Sequence, residues 1–411
     1  MGMTLLFIRE KKEPLIVFVV ALVARVLLSA WQVQFGLSGL PSLFSPNSWA
    51  DFYGAYAPWL HLVSQGSVPY RDFTSYTYTP LFLYLLYPFY ALGGSHAASI
   101  PIVLSDAATA ALVYQIGRKL VSGRVPLAAG LAYAVCPFAL FYEGYLWLSS
   151  QPMTFLMVLA VYLLREDRPI YSSFAMALAI LVKQEALFLL PVYLAWLVTR
   201  FRSSALRGLL VLSLTLFIVS LPFLIVYPIG YLQSLDYLNP STPAANVCVN
   251  QIVNATTVAV CGGTTTAPSW LTLPPAGAGV AVVQSSGFPV EYVINRISTL
   301  VNPLLFILAI PAMFVSRNRR NSLELFSAYS LVGSLIAFSL ITHISLSYHY
   351  IPVYALLFAA SSTRKSLAVA TVAPAVALFL LPEGPAGLLV PMVALLALLA
   401  LNDETKSWPR T

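Results

Sequence analysis

A few ionisable residues stand apart from the basic clusters of this sequence, and they are the side chains that could do chemistry. Asp51 lies in an aromatic-rich stretch and could act as a general base. Lys183 and Arg296 are isolated cations that could bind an anionic group such as a phosphate. His343 and His349 could contact the same anion or carry a proton. These residue types together suit acid–base chemistry beside an anionic substrate.

Other polar residues are weaker candidates for the same site. Arg71 is a third possible phosphate ligand, although its neighbour Asp72 could neutralise it. Glu143, Glu185 and Tyr78, with Asp72, are candidates for contacting a substrate.

Each principal candidate also has a structural interpretation. Asp51 could cap a helix, and Lys183 could pair with Glu185 or extend its charge toward the membrane surface. Arg296 could anchor to lipid headgroups, and a lone histidine at an interface is usually structural. The six-residue spacing of the two histidines does not place both on one helical face, which argues against a metal pair.

The composition excludes several classes of protein. Of 411 residues only 37 are charged, 59 % are apolar and the mean hydropathy is +0.81. Because so few charges cannot cover that much apolar surface, an ordinary soluble enzyme, a disordered protein and a nucleic-acid binder are excluded. Three cysteines exclude a disulfide-rich scaffold. The class indicated is an all-α polytopic membrane protein.

The placement of basic residues predicts the topology. Arg9, Lys11 and Lys12 precede a long apolar run, which puts the N-terminus in the cytoplasm. Twelve spans (range 11–13) then place 18 of the 22 basic residues inside, with both termini cytoplasmic. The predicted spans are 14–37, 95–117, 125–142, 150–164, 169–182, 186–199, 208–230, 296–316, 322–342, 345–361, 366–382 and 385–401.

The predicted spans form one integral membrane domain, 1–411, with two long external segments. Some spans are short: 169–182 covers about 21 Å of a roughly 30 Å apolar core, so it must be broken, tilted or lie inside a bundle. The external segments are 38–94, with interfacial helices, and 231–295. All four histidines and most lone acids fall on the external side, so we expect the active site on that face of the cell membrane.

Two pairs of residues are predicted to interact. Arg25 and Asp106 lie near the middle of their spans, where unpaired charges are costly, so we expect them to pair. Cys248 and Cys261 bracket the sequon at Asn254 and could form a disulfide outside the cell. Cys136, within a span, is expected to be a small buried hydrophobic residue.

The first external segment carries motifs of a known family. Gly66–Phe73 reads G-x-x-P-Y-R-D-F, and Tyr76–Leu81 reads Y-T-Y-T-P-L. With the acid after the first span and the aromatic-rich helix, these motifs resemble the GT-C glycosyltransferases, nearest to the polyprenyl (dolichyl)-phosphate-mannose-dependent mannosyltransferases. The stretches Ser105–Tyr114, Ala134–Trp147 and Lys183–Ala186 are also similar to that superfamily. Where that family often has an acidic pair and a Gln-Ser-Asp-like stretch, this chain has Ala50-Asp51 and Ser149-Ser150-Gln151-Pro152.

The resemblance implies an inverting hexosyltransferase, with mannose the favoured sugar. Asp51 would be the base; Lys183, Arg296, His349, His343 and Arg71 would bind the donor phosphate; Glu143, Glu185, Asp72 and Tyr78 would contact the acceptor or sugar. The partners would be a polyprenyl-phosphate sugar, a glycan, glycolipid or protein acceptor and membrane lipids, without nucleic acid. No cofactor is indicated, and a divalent metal stays open. A transporter or lipid flippase is the alternative.

Overall fold

The computed structural model describes residues 2–35, 52–72, 76, 78–228, 231, 248–253, 256–261, 347–380 and 386–403. This part of the chain is predominantly helical, as the sequence predicts. The α-helices are α1 (Gly2–Phe35), α2 (Ala57–Ser64), α3 (Leu81–Ala98), α4 (Ile100–Leu120), α5 (Val125–Ala134), α6 (Pro137–Ala139), α7 (Ser150–Arg165), α8 (Pro169–Val182), α9 (Leu190–Val226), α10 (Ile351–Ala360), α11 (Arg364–Leu380) and α12 (Ala386–Asp403). The described part also contains the π-helices Phe52–Tyr56 and Leu140–Tyr145. Its 3-10 helices are Gln184–Leu189 and Ser347–Tyr350.

Four helical stretches are long and apolar enough to cross a membrane, and they are Lys12–Phe35, Ile100–Leu120, Val125–Tyr145 and Leu190–Val226. Shorter apolar helices include α7, α8 and α10. These helices are compatible with a membrane protein. The predicted spans 296–316 and 322–342 lie outside the described residues.

The core of the described bundle surrounds α10. This helix contacts α4, α5 and α7, and every one of its residues is buried. Its sequence, IPVYALLFAA, has no polar face, which is expected of a helix surrounded by others. His349 lies in the 3-10 turn Ser347–Tyr350 that leads directly into α10, so its side chain is carried into the interior.

The predicted span 125–142 is broken in the middle. α5 ends at Ala134, and Cys136 takes an extended conformation before Pro137 starts α6. The proline explains the break, because its ring disfavours the helical conformation in the preceding residue. The chain then continues as the π-helix Leu140–Tyr145, which carries Glu143. Cys136 is buried, as predicted.

The predicted spans 186–199 and 208–230 are joined in α9, which folds sharply back at Arg202. A Cβ built on Gly208 would lie 3.3 Å from a Leu197 methyl carbon. In a straight helix these residues would be about 16 Å apart along the axis, so the two halves of α9 pack side by side.

One end of the bundle carries ion pairs between basic and acidic side chains. Lys119 at the end of α4 pairs with Glu166 at 2.9 Å, and Arg200 on α9 pairs with Asp167. Three basic clusters that were predicted to share the inner side therefore meet at one end. α7 and α8 run from this end to the other, where their remaining termini, Ser150 and Val182, lie beside the candidate site.

The strands of the described part form one antiparallel hairpin, β1 (Cys248–Val253) and β2 (Thr256–Cys261), which the sequence did not predict. Its register places Cys248 opposite Cys261. Directly opposed residues in such a pair have Cα atoms about 4.5–5.5 Å apart, a separation that a disulfide can bridge.

Candidate functional site

Three of the predicted site residues meet around one carboxylate oxygen. Lys183 Nζ donates to Glu185 Oε2 at 3.0 Å, and His349 Nδ1 lies 2.9 Å from the same oxygen. Lys183, Glu185 and His349 are 4 %, 8 % and 2 % exposed. We call these three residues the Lys183 cluster.

Short breaks in helical structure position the Lys183 cluster. α8 ends at Val182, and Lys183 adopts an extended conformation with φ −154° and ψ 126°. The 3-10 helix Gln184–Leu189 follows and turns Glu185 back toward Lys183. His349 comes from the 3-10 helix Ser347–Tyr350, immediately before α10. The site is thus assembled where three helices begin or end.

The electrostatics of the cluster keep Glu185 ionised. Burial alone would raise the pKa of Glu185, but the charge of Lys183 and the contact with His349 outweigh burial and lower the pKa to about 2. The other oxygen of Glu185, Oε1, has no hydrogen-bond partner among the described residues. A carboxylate with such a low pKa is a poor general base, so Glu185 serves to hold the two basic side chains.

Lys183 also faces the start of α7. Its Nζ donates to Ser150 Oγ at 3.2 Å and lies 5.9 Å from the centre of the Tyr78 ring. The first backbone N–H groups of a helix have no partner within the helix and carry partial positive charge. The side chain of Ser149, which precedes α7, does not cap them. Lys183 and this helix end therefore form a buried region of positive charge that suits an anion.

Aromatic side chains from the described residues between α1 and α4 enclose this region. Tyr56 OH donates to Ser149 Oγ at 2.8 Å and lies 3.3 Å from Tyr78 OH. Tyr78 is held in turn by Tyr70, whose hydroxyl donates to the Tyr78 carbonyl at 2.8 Å. Edge-to-face ring contacts connect these residues to the core, among them Tyr56–Phe82, Trp59–Tyr76 and Trp59–Tyr78. Tyr78 of the motif Y-T-Y-T-P-L thus lies beside Lys183.

Arg71 and Asp72 lie elsewhere on the same end. Arg71 donates to Asp72 at 2.6 Å and to Tyr227 OH at 2.8 Å, so it joins the turn after α2 to the end of α9. The hydrogen bonds from Arg71 and from the Val68 backbone lower the pKa of Asp72. No described contact brings either residue to the Lys183 cluster.

Glu143 is buried and isolated. It is 0 % exposed, and neither carboxylate oxygen has a hydrogen-bond partner among the described residues.

A separate polar network surrounds the buried side chains of Arg25 and Asp106. Arg25 Nε donates to Asp106 within the buried core, which confirms the predicted pair. Tyr133 OH donates to Asp106 at 2.9 Å, and Gln151 donates both to Asp106 and, at 3.0 Å, to Tyr133 OH. Arg25 also donates to the Ala134 carbonyl at the break after α5.

The remaining predicted site residues, Asp51, Arg296 and His343, lie outside the described residues. Within the described ranges, no group of three or more His, Cys, Asp or Glu side chains could hold a metal ion.

Sequence reasoning missed Ser150 and Tyr56 as parts of this site. The only sequence signal for Ser150 was the stretch Ser149–Pro152, which was noted for its place in the chain rather than for a contact. Tyr56 was one aromatic residue among many.

Comparisons with known proteins add no assignment. No protein-family model matches the chain, and no curated protein matches it.

Proposed function

We propose that this protein is a membrane glycosyltransferase that takes a hexose from a polyprenyl phosphate. The observation that carries the proposal is the Lys183 cluster, in which two basic side chains share one carboxylate oxygen. Because Glu185 supplies one negative charge, the cluster becomes net positive when His349 is protonated. A phosphate group can then bind at Lys183, Ser150 and the start of α7.

The proposed reaction needs a base and a stabilised leaving group. Asp51 takes the proton of the acceptor hydroxyl as that oxygen bonds to the anomeric carbon. The bond between the anomeric carbon and the phosphate oxygen breaks, and the electron pair leaves with the polyprenyl phosphate. Lys183 stabilises the resulting negative charge by direct contact. Attack opposite the leaving group gives inversion.

The site belongs to the end of the bundle opposite the Lys119–Glu166 pair. With the twelve predicted spans, this end is the external face, and both termini are cytoplasmic. Arg296 and His343 are proposed to add to phosphate binding, and Arg71 is proposed to contact the headgroup region near the end of α9. Acceptors of this chemistry are a lipid-linked glycan, a glycolipid or a protein.

Phosphate binding can be tested with two matched lysine variants. A photoreactive polyprenyl phosphate is titrated into wild-type protein, Lys183→Met and Lys119→Met. Loss of a charge-assisted hydrogen bond predicts roughly tenfold weaker labelling or more for Lys183→Met. Lys119→Met, at the opposite end, should label as wild type. Dependence on Lys119 with no dependence on Lys183 would contradict both the site and its proposed side.

A transporter is the second candidate, and Glu143 is the observation that favours it. Buried acids within membrane-spanning helices often carry protons or ions in transporters. Substrate-driven proton movement across proteoliposomes, abolished in Glu143→Gln, would support transport. Label transfer from a lipid phosphate to an acceptor would support the transferase.

A further inference from the structure

Glu143 is a buried acid for which the described fold provides no partner. It lies on the π-helix Leu140–Tyr145, within the apolar stretch Val125–Tyr145. Both carboxylate oxygens are without a hydrogen bond among the described residues, at 0 % exposure. Buried polar groups in proteins are nearly always hydrogen-bonded, so an exception requires an explanation.

The backbone beside Glu143 is fixed, so the side chain cannot reach water by a small shift. Ser29 Oγ donates to the Gly144 carbonyl at 2.9 Å, and Trp147 Nε1 donates to Ser29 Oγ at 2.9 Å. A Cβ on Gly144 would lie 3.3 Å from Arg25 Cγ, so α1 packs directly on this segment. Trp147 is fully buried and adopts a positive φ of 54°, a conformation that costs energy for a residue with a side chain. Backbone strain of this kind clusters at functional sites.

The cations of this region are already engaged by other carboxylates. The charge of Arg25 is already directed to Asp106, and that of Lys183 to Glu185. An ionised carboxylate without hydrogen bonds is too costly at this burial, whereas a carboxylic acid can both donate and accept. π-Helical turns also occur frequently at functional sites.

We propose that the Glu143 carboxylic acid hydrogen-bonds the hydroxyl groups of the hexose that is transferred. This inference rests on the proposed function, because it requires the donor phosphate at Lys183. The hexose is bonded directly to that phosphate. The π-helix that carries Glu143 is followed four residues later by Ser149 and then Ser150, which contact Tyr56 and Lys183 in the proposed phosphate site. Two further buried oxygens without described partners, Gln151 Oε1 and Glu185 Oε1, belong to residues that neighbour or form the phosphate site. A site with such polar groups discriminates strongly against an analogue that lacks the matching hydroxyl.

The experiment compares two lipids that differ only in the sugar. Short-chain polyprenyl phosphate and the same lipid carrying mannose or glucose are titrated calorimetrically into detergent-solubilised protein. Glu143→Met should weaken binding of the sugar-bearing lipid about threefold to tenfold, which corresponds to one neutral hydrogen bond, and leave the bare lipid unchanged. Lys183→Met should weaken the binding of both lipids, and Lys119→Met should leave the binding of both lipids unchanged.

The outcomes separate the two proposals. Suppose that Lys183→Met weakens the binding of both lipids, while Glu143→Met weakens the binding of neither lipid or of both equally. The inference about Glu143 is then overturned and the proposed function stands. If wild-type protein binds neither lipid, both are overturned. Should Glu143→Met fail to fold, infrared spectroscopy of wild type decides. The carbonyl band of the protonated Glu143 carboxyl is identified by its loss in Glu143→Gln. This band should shift when the sugar-bearing lipid binds and stay in place when the bare lipid binds. A band that is absent, or that does not shift with the sugar-bearing lipid, overturns the inference.

Discussion

Removal of the Glu185 charge should destabilise the protein more than any change to an exposed ion pair. In Glu185→Gln the buried Lys183 ammonium loses its carboxylate partner while the volume of the side chain is kept. Breaking one side of a buried ion pair costs about 3–5 kcal/mol. The pKa of Glu185 gives a similar figure, because a fall from 4.5 to about 2 corresponds to roughly 3 kcal/mol.

Thermal unfolding in detergent, followed by tryptophan fluorescence at pH 7, measures this cost. For a chain of 411 residues, a loss of this size should lower the midpoint by about 3–6 °C. The double variant Lys183→Met with Glu185→Met should recover much of the loss, because a buried pair can be replaced by apolar residues at little cost. Asp72→Asn, which removes an exposed carboxylate of an Arg pair, is the matched control and should leave the midpoint unchanged.

The pH dependence has a definite sign. The folded pKa of Glu185 lies below its ordinary value, so its stabilisation is complete above about pH 4.5 and is lost as the pH falls toward 2. The difference between wild type and Glu185→Gln should therefore shrink over that range. Equal stability of the two proteins at pH 7 would refute the electrostatic reasoning about the cluster.

Three further predictions concern the rest of the described chain. Arg25→Met should destabilise the protein by about 3–5 kcal/mol, because it leaves Asp106 buried without its charge partner. Chemical unfolding of Arg25→Met, alone and combined with Asp106→Leu, measures this cost. The double variant should be more stable than Arg25→Met alone. Gly144→Ala should cost about 1–3 kcal/mol, since its Cβ would press against Arg25, and a stability equal to wild type would contradict the close packing of α1. Peptide mapping of non-reduced protein should recover Cys248 and Cys261 in one linked peptide, and two free thiols there would contradict the prediction drawn from the hairpin register.

Local features of the fold could be predicted from the sequence. The run 169–182 was predicted as a short span, and α8 covers those residues, because a proline begins the helix and the apolar run ends at Lys183. The Arg25–Asp106 pair was also predictable, since two opposite charges deep in apolar helices have few alternatives to pairing.

The assembly of the site could not be predicted in the same way. His349 and Glu185 are 164 residues apart in sequence, so their contact depends on the packing of α10 into the core. The sequence placed Glu143 at the end of a span but could not reveal that the fold leaves it without a described partner. The reversal of α9 at Arg202 was represented only as a gap between two predicted spans.

The most direct test of the central proposal follows a radiolabelled hexose from its polyprenyl phosphate in native membranes that contain wild-type protein, Asp51→Asn or no protein. The proposal predicts that wild type moves the label to an acceptor and that Asp51→Asn, although folded, is slower by about 10²–10⁴-fold. Transfer at the same rate with and without the protein, or undiminished transfer by Asp51→Asn, would contradict it.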